Sequence, residues 1–220
     1  MLFSKKISVF SFVLLLMLST LCFSLTTLAE SESETSQQES TELDLTRLFV
    51  EDTFCYRNLS WKITAQEVME QAGISLTQLD RSIPNYYISD ETVSLQNEIA
   101  VKVQYEFQPD RSAVNQTPGP DSSLAYGLEV ISFYFEAEDD KDLTELLNAT
   151  VDSLENICGK TEKTEFPKGN ALGYRWFSTN HNGQETSLQI QANCHGKRIT
   201  DFRLSVGIVT PPDTAEDPAI

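Results

Sequence analysis

The sequence predicts an α+β protein in which two tandem units, each a helix followed by three strands, form an antiparallel sheet with the helices packed on one face. Two segments begin and end like helices, at 64–73 and 142–159, and each precedes a cluster of strand patterns. Strands that follow one another without an intervening helix pair antiparallel, which leaves the helices to cover one face of the sheet.

The first helix has a complete set of boundary signals. Thr64 is a suitable N-cap, and Glu67 stands three residues later, as a capping box requires. Ile63 and Val68 have the spacing of a hydrophobic staple. Gly73 is placed to adopt the left-handed conformation that ends a helix. The segment is therefore specified to start and stop within a few turns.

The second helix shows a longer apolar stripe. Asp142 and Glu145 stand at the positive end of its dipole, and Gly159 follows its last apolar residue. Apolar residues recur with the helical period on one side, which predicts a helix that packs against the sheet. The stripe comprises Leu143, Leu146, Leu147, Val151, Leu154, Ile157 and Cys158.

Strand patterns follow the first helix. The short run 86–88 is one, 98–107 alternates strictly, and 128–137 is apolar on both faces, which predicts a central strand. A proline-rich insert at 108–123 predicts a mobile loop between the last two strands. The alternating strand places one apolar row on its inner face, namely Ile99, Val101, Val103, Tyr105 and Phe107.

The second unit ends in a three-stranded meander. Strand patterns at 174–178, 186–194 and 200–209 are separated by turn sequences at 180–183 and 195–197. The last two strands each present an apolar row that predicts an inward face. The rows are Leu188, Ile190, Ala192 and Cys194 on one strand, and Phe202, Leu204, Val206 and Ile208 on the other.

The N-terminus carries an export signal. Two lysines precede an uncharged stretch, 7–29, which ends in the small residues of a signal-peptidase site at Thr27-Leu28-Ala29. Two alternatives stay open, because the stretch is long enough to remain as a membrane anchor and Cys22 is a candidate for lipidation. In each case residues 30–220 are predicted to be secreted or to lie on the extracytoplasmic cell surface.

Composition divides the chain into five segments. Residues 30–44 and 210–220 are acidic and polar without a periodic apolar pattern, so they are predicted as a disordered linker and a disordered tail. They flank the two α+β units, at 45–137 and 138–209. Residues 1–29 are the signal peptide or the uncleaved anchor.

Charge and motif content exclude several functions. The chain has 33 acidic and 16 basic residues and a net charge of −17, which repels phosphate backbones and anionic lipid. We therefore predict no nucleic-acid partner, and membrane contact only through the N-terminal segment if it is uncleaved. The sequence contains no phosphate loop, serine-hydrolase elbow or zinc-protease motif. No catalytic residue, metal or cofactor is predicted.

The histidines and the acidic run do not change that prediction. His181 and His195 fall in successive turns, which lie at opposite ends of a sheet, so they are not expected to share a metal. Cys194 and His195 are neighbours on a strand and point to opposite faces, which argues against a thiol–imidazole pair. The acidic run 136–142 lacks the spacing of a calcium loop and is predicted as the solvated start of the second helix.

Two cysteines lie on apolar faces that are predicted to pack together. Cys158 ends the stripe of the second helix, and Cys194 ends an inward strand row. An exported protein permits a disulfide between them, and buried free thiols are the alternative. Cys55 has no patterned partner and is predicted to remain the odd thiol.

The motif Thr64-x-x-Glu67-Val68, closed by Gly73 and followed by a meander, resembles the helix-plus-meander units of SmpA/OmlA/BamE-like envelope proteins. The doubled arrangement also resembles the tandem fold of β-lactamase-inhibitor proteins. Lys62 stands where the envelope family often has glycine, and no proline closely follows Gly73. The resemblance implies protein–protein binding without catalysis, and it assigns no functional residue.

The resulting hypothesis is a non-enzymatic, secreted or surface-tethered binding module of the bacterial cell envelope. Its partner is expected to be a protein or a cell-wall component. The alternatives are an extracytoplasmic hydrolase that uses carboxylates, and a small-ligand-binding protein. Five aromatic residues are candidates for interface anchors, since large rings dominate binding energies: Trp61, Tyr86, Tyr87, Tyr134 and Trp176.

Overall fold

A computed structural model of the protein describes residues 40–80, 83–109, 126–138, 141–161, 163–165 and 170–209. The predicted signal peptide or anchor, most of the linker, most of the insert at 108–123 and the predicted tail lie outside the described residues. Among the described residues, no helix combines the length and the apolar character needed to cross a membrane.

Strands make up most of the described structure. The α-helices are α1 (Ala65–Ala72) and α2 (Thr144–Cys158), and a 3-10 helix spans Leu45–Leu48. In chain order the strands are β1 (Thr41–Glu42), β2 (Phe49–Val50), β3 (Thr53–Phe54), β4 (Leu76–Asp80), β5 (Ile83–Ser89), β6 (Val93–Leu95), β7 (Glu98–Ile99), β8 (Lys102–Pro109), β9 (Tyr126–Glu136), β10 (Thr164–Glu165), β11 (Ala171–Thr179), β12 (Glu185–His195) and β13 (Arg198–Ile208).

Eight of these strands form one antiparallel sheet with the order β10-β11-β12-β13-β9-β8-β5-β4. The half before α2 and the half that includes it each contribute a meander, and the two meanders join through their last strands, β9 and β13. The predicted α+β class, with tandem units and an antiparallel sheet, is confirmed. Each half contributes one strand more to this sheet than predicted, because β4 has no alternating pattern and β10 is only two residues long.

The first helix forms as predicted. The Thr64 hydroxyl accepts a hydrogen bond from the Glu67 N–H at 3.3 Å, and the Glu67 carboxylate accepts one from the Thr64 N–H at 2.7 Å. Gly73 has φ of 66° and donates its N–H to the Met69 carbonyl, so it ends the helix in the left-handed conformation. Val68 is fully buried. The capping box and the terminating glycine are therefore confirmed.

The second helix buries its apolar stripe against the sheet and is anchored at its start by an acid. Asp142 accepts hydrogen bonds from the Thr144 N–H at 3.0 Å and from the Ile199 N–H of β13 at 3.1 Å. The Leu143 N–H donates to the Ile199 carbonyl at 3.0 Å. These bonds place the N-terminal end of α2 beside the start of β13.

One face of the eight-stranded sheet supports a single apolar core. The helix α1 contacts β9, and α2 contacts β13 and the 3-10 helix. Aromatic pairs fill the space, with the Tyr56 and Phe133 ring centroids 4.9 Å apart and those of Phe135 and Phe202 5.0 Å apart. The inner rows predicted for β12 and β13 face this core, as the burial of Leu188, Ile190, Ala192, Phe202, Leu204 and Val206 shows.

The apolar row predicted for the alternating strand was wrong at two positions. Ile99 and Val101 are 56% and 59% exposed, because β7 ends at Ile99 and β8 begins only at Lys102, so the predicted continuous strand is broken.

The linker was predicted to extend to residue 44, but the folded part already includes Thr41, whose N–H donates to the Thr92 carbonyl at 2.8 Å. Leu43 is buried in the core, which explains why this end of the linker is ordered.

Candidate binding face

The other face of the eight-stranded sheet is polar. We call it the open face and define it by three rows of cross-strand partners, since directly paired residues point to the same side. The described helices pack on the opposite side. The rows are Ile88–Gln104–Ser132–Ser205–Gln189–Arg175, Lys102–Tyr134–Arg203–Gln191, and Tyr86–Glu106–Val130–Gly207–Ser187–Phe177.

The centre of the open face is built alike from both halves. The Ser132 and Ser205 hydroxyls lie 2.9 Å apart where β9 meets β13. Gln104 pairs with Ser132, and Gln189 pairs with Ser205, so each half offers a glutamine–serine pair. The two serines are buried.

At one end of the open face, charged and aromatic side chains make the two halves differ. The two-fold relation through the serine pair maps Tyr134 onto Gly207 and Lys102 onto Ser187. The Lys102 ammonium lies 4.2 Å from the Tyr134 ring centroid, and the Arg203 guanidinium carbon lies 5.9 Å from it. A cation near a tyrosine ring gains about 0.5–1 kcal/mol at an exposed site, so the ring helps to hold both cations in place.

Neighbouring groups extend this arrangement. The Arg203 guanidinium also donates to the Gln191 side-chain carbonyl at 3.1 Å. On the far side of the face, the Arg175 guanidinium carbon lies 4.4 Å from the Phe177 ring centroid, and Phe177 is 52% exposed. Burial, together with a hydrogen bond to the Glu106 carboxylate, raises the pKa of Tyr86 and keeps its phenol protonated.

Of the five aromatic residues predicted as interface anchors, only Tyr86 and Tyr134 lie on the open face. Trp176 is 4% exposed and donates its indole N–H to the Gly159 carbonyl at 2.9 Å, so it belongs to the core. Trp61 donates to the Phe54 carbonyl at 3.1 Å and packs against the core. The Tyr87 ring meets Phe107 edge-on, with ring centroids 5.4 Å apart. These three rings support the fold.

The cations and amides of the open face were missed by the sequence reasoning. Lys102, Arg203 and Gln189 occupy the polar positions of alternating strands, which predict only a solvated face. The available signal was the pairing of Lys102 and Arg203 with Tyr134. That signal becomes visible only when the strand order is known, because Arg203 and Tyr134 are 69 residues apart in the chain.

Of the two alternatives for Cys158 and Cys194, a disulfide or free thiols, the structure has free thiols, and Cys55 is free as well. The start of α2, not its end, lies beside Ile199, which is the cross-strand partner of Cys194. Cys158, at the other end of the helix, lines a cleft with Trp176, whose strand partner is Leu188. Leu188 and Cys194 are separated by roughly 20 Å of extended strand, too far for a bridge. This corrects the predicted meeting of Cys158 with Cys194.

A second polar cluster lies within the core side of the fold. The Glu91 carboxylate accepts hydrogen bonds from the Tyr105 hydroxyl at 2.6 Å and the Tyr56 hydroxyl at 3.0 Å, and it pairs with the Arg57 guanidinium at 3.0 Å. Arg57 also donates to the Ala72 carbonyl at the end of α1. Burial, with the adjacent Glu91 charge, raises the pKa of both tyrosines. The cluster ties α1 to the sheet.

A cavity of about 290 Å³ borders this cluster. Two carboxylates line it, but each is already engaged. Glu42 accepts hydrogen bonds from the Ser94 hydroxyl at 2.7 Å and the Gln96 N–H at 2.9 Å, and Asp44 accepts one from the Thr46 N–H at 3.0 Å. The polar groups around the cavity therefore stabilise the fold and do not form a small-ligand site.

A smaller cleft lies at the rim of the open face. Glu136 and Asp201 are cross-strand partners there, and they line a volume of about 260 Å³ together with His195 and Arg198. His181 lies beyond the far end of β12, so the two histidines are separated by the length of that strand. Within the described ranges, no group of three histidine, cysteine or acidic residues is arranged to hold a metal ion.

Comparisons with known proteins add no further constraint. No protein-family model matches the chain, and no curated protein and no solved structure is significantly similar to it.

Proposed function

We propose that the protein is a non-catalytic binding module, secreted or tethered to the cell surface, that uses the open face to bind another protein. The observation that carries the proposal is Tyr134 with Lys102 and Arg203 beside its ring, presented on a sheet whose other face is fully packed. Rigid aromatic and arginine side chains on a preorganised surface are typical of interface anchors.

The departure from internal symmetry supports the same proposal. The central serines and glutamines of the open face are alike in both halves. The positions equivalent to Tyr134 and Lys102 hold Gly207 and Ser187, so folding of a doubled meander does not require a ring and a cation there. Contact with a partner protein explains why Tyr134 and Lys102 occur in one half and have no counterpart in the other.

A photo-crosslinking experiment tests the proposal. The probe p-benzoylphenylalanine replaces Gln191, which is exposed on the open face, or Glu70, which is exposed on α1, in the cells that export the protein. We expect a discrete protein adduct from the position-191 probe, absent from the position-70 probe and reduced in the Tyr134→Ala variant. Equal adduct patterns from both positions, or no adduct from position 191, would refute a binding role for this face.

One observation favours a second candidate, the carboxylate-dependent hydrolase. Glu136 and Asp201 face each other at the rim cleft, and hydrolytic sites often use two carboxylates. Asp201, however, accepts hydrogen bonds from the Asn193 amide at 2.6 Å and the Thr200 hydroxyl at 3.0 Å, which restrict it to a supporting role. Hydrolysis of a glycan or peptide substrate that Glu136→Gln abolishes would favour this candidate over binding.

A further inference from the structure

Three cations on the open face have no acidic partner among the described residues. The described ion pairs elsewhere join Arg47 to Asp44, Arg57 to Glu91, Lys62 to Glu129, Lys141 to Glu98 and Lys160 to Glu155. Lys102, Arg175 and Arg203, by contrast, form no ion pair with any carboxylate of the described chain. Their contacts are aromatic rings and, for Arg203, the Gln191 amide and the Tyr134 hydroxyl.

This absence is informative because acids outnumber bases about two to one, 33 to 16. The three central rows of the open face instead hold three cations and one acid, Glu106, which is hydrogen-bonded to Tyr86. The three central rows are therefore a locally positive patch on a strongly negative protein, bordered at the rim by Glu136 and Asp201, and this patch attracts negative charge.

We infer that the open face binds an acidic, extended segment of the partner protein, an inference that rests on the proposed function. Lys102 and Arg203 lie on strands separated only by β9, so their backbones are about 10 Å apart. Arg175 lies two strands beyond Arg203, which adds roughly another 10 Å. A segment in the extended polyproline II conformation rises about 3.1 Å per residue with three residues per turn, so carboxylates at every third residue lie on one side of it at about this spacing.

The chemistry of the face favours a peptide over other polyanions. The Gln189 amide donates to the Ser187 hydroxyl at 3.2 Å and the Gln191 carbonyl accepts from Arg203 at 3.1 Å, so Gln189 presents a carbonyl and Gln191 an amide N–H to a ligand. This acceptor and this donor complement the N–H and C=O groups of a polypeptide. A phosphodiester chain offers acceptors only, so the amide carbonyls and Glu106 would face it without donors. An anionic bilayer is disfavoured because the net charge of −17 repels it over the whole surface.

A second copy of this chain is a poorer match through the same face. Two copies related by a two-fold axis would set equal excesses of positive charge against each other. Glu106 alone cannot balance Lys102, Arg175 and Arg203 in such a pair. A symmetric pair of copies through this face is therefore disfavoured, and the inferred partner is a different, acidic chain.

The test measures fluorescence anisotropy with a labelled peptide of four Asp-Ser-Thr repeats and a matched peptide of four Asn-Ser-Thr repeats. The wild-type protein is compared with Lys102→Glu/Arg203→Glu and with a control, Lys160→Glu/Lys197→Glu, which has the same change in net charge. Lys160 and Lys197 are exposed away from the three rows. The unfolding midpoint of each variant establishes that it is folded.

We expect the acidic peptide to bind the wild-type protein and the control variant, with at least a tenfold loss of affinity in Lys102→Glu/Arg203→Glu. The Asn peptide should bind at least tenfold more weakly than the acidic one. Equal binding to all three proteins would overturn the inference, as would binding of polyphosphate or phosphatidylglycerol vesicles without binding of the peptide. An adduct at position 191 without peptide binding would overturn the acidic partner but leave the binding module intact.

Discussion

Replacing Glu91 by Gln removes the charge at the centre of the cluster that ties α1 to the sheet. The Glu91 side chain is 4% exposed and accepts from Tyr56, Tyr105 and Ser89 hydroxyls while it pairs with Arg57. The Gln amide keeps the shape but leaves the Arg57 guanidinium without its counter-charge. Arg57 is 26% exposed, so water partly compensates it.

The expected cost follows from that geometry. Breaking a buried ion pair by removing one partner costs about 3–5 kcal/mol, and partial exposure of Arg57 places this case near the lower end. We expect Glu91→Gln to lower the free energy of unfolding by about 3 kcal/mol, measured by urea denaturation. Tyr105→Phe removes only one donor to a charged acceptor and should cost about 1.5–3 kcal/mol.

A double-mutant cycle separates the ion pair from the rest of the cluster. Arg57→Gln combined with Glu91→Gln should be less destabilising than the sum of the single changes, because the uncompensated charge is gone. The control is an exposed pair, Lys160 and Glu155, for which a cycle should give less than about 1 kcal/mol of coupling. A Glu91→Gln variant within about 0.5 kcal/mol of the wild type would refute the view that this cluster holds α1 to the sheet.

Other parts of the fold yield three further predictions. Thr64→Ala should lower the free energy of unfolding by about 1 kcal/mol in urea denaturation, because the helix loses its side-chain cap, and an unchanged midpoint would contradict the capping role. Gly207→Ala should cost at least about 2 kcal/mol by the same measurement, since the added Cβ would lie 2.6 Å from the Glu129 carbonyl oxygen, and an unchanged midpoint would contradict this crowding. Hydrogen bonding to Thr144 lowers the pKa of Asp142 below its ordinary value of 3.8, so its contribution to stability is present above that value and is lost as the pH falls through the lowered pKa. Asp142→Asn should therefore weaken the pH dependence of the unfolding midpoint below about pH 4, and identical acid profiles would contradict this assignment.

Local signals predicted local structure well. The capping box of α1 joins residues only three positions apart, and the left-handed Gly73 depends on its own backbone, so both can be predicted without knowledge of the fold. The apolar rows of β12 and β13 were also correct, because alternation alone decides which residues share a face. The same reasoning failed for Ile99 and Val101, where a strand break removes the alternation.

The disulfide prediction shows where this reasoning stops. Two apolar faces that must pack together do not reveal in which direction the helix runs across the strands. The bond between the Leu143 N–H and the Ile199 carbonyl decides that direction, and it places Cys158 at the far end from Cys194. Residues that are equally apolar can therefore lie on one buried surface and still be unable to meet.

The sequence by itself determined the α+β class, both helices and the inward faces of the last two strands, because these depend on spacing along a continuous segment. Only the tertiary structure decided that Tyr86 and Tyr134 share an uncovered face while Trp176 is enclosed, and that Lys102, Tyr134 and Arg203 lie side by side. Those neighbours come from β8, β9 and β13, and the order of strands in a sheet is set by the packing of the whole chain. Cross-strand pairing carries no local signature, so the binding face emerges only when the sheet is assembled.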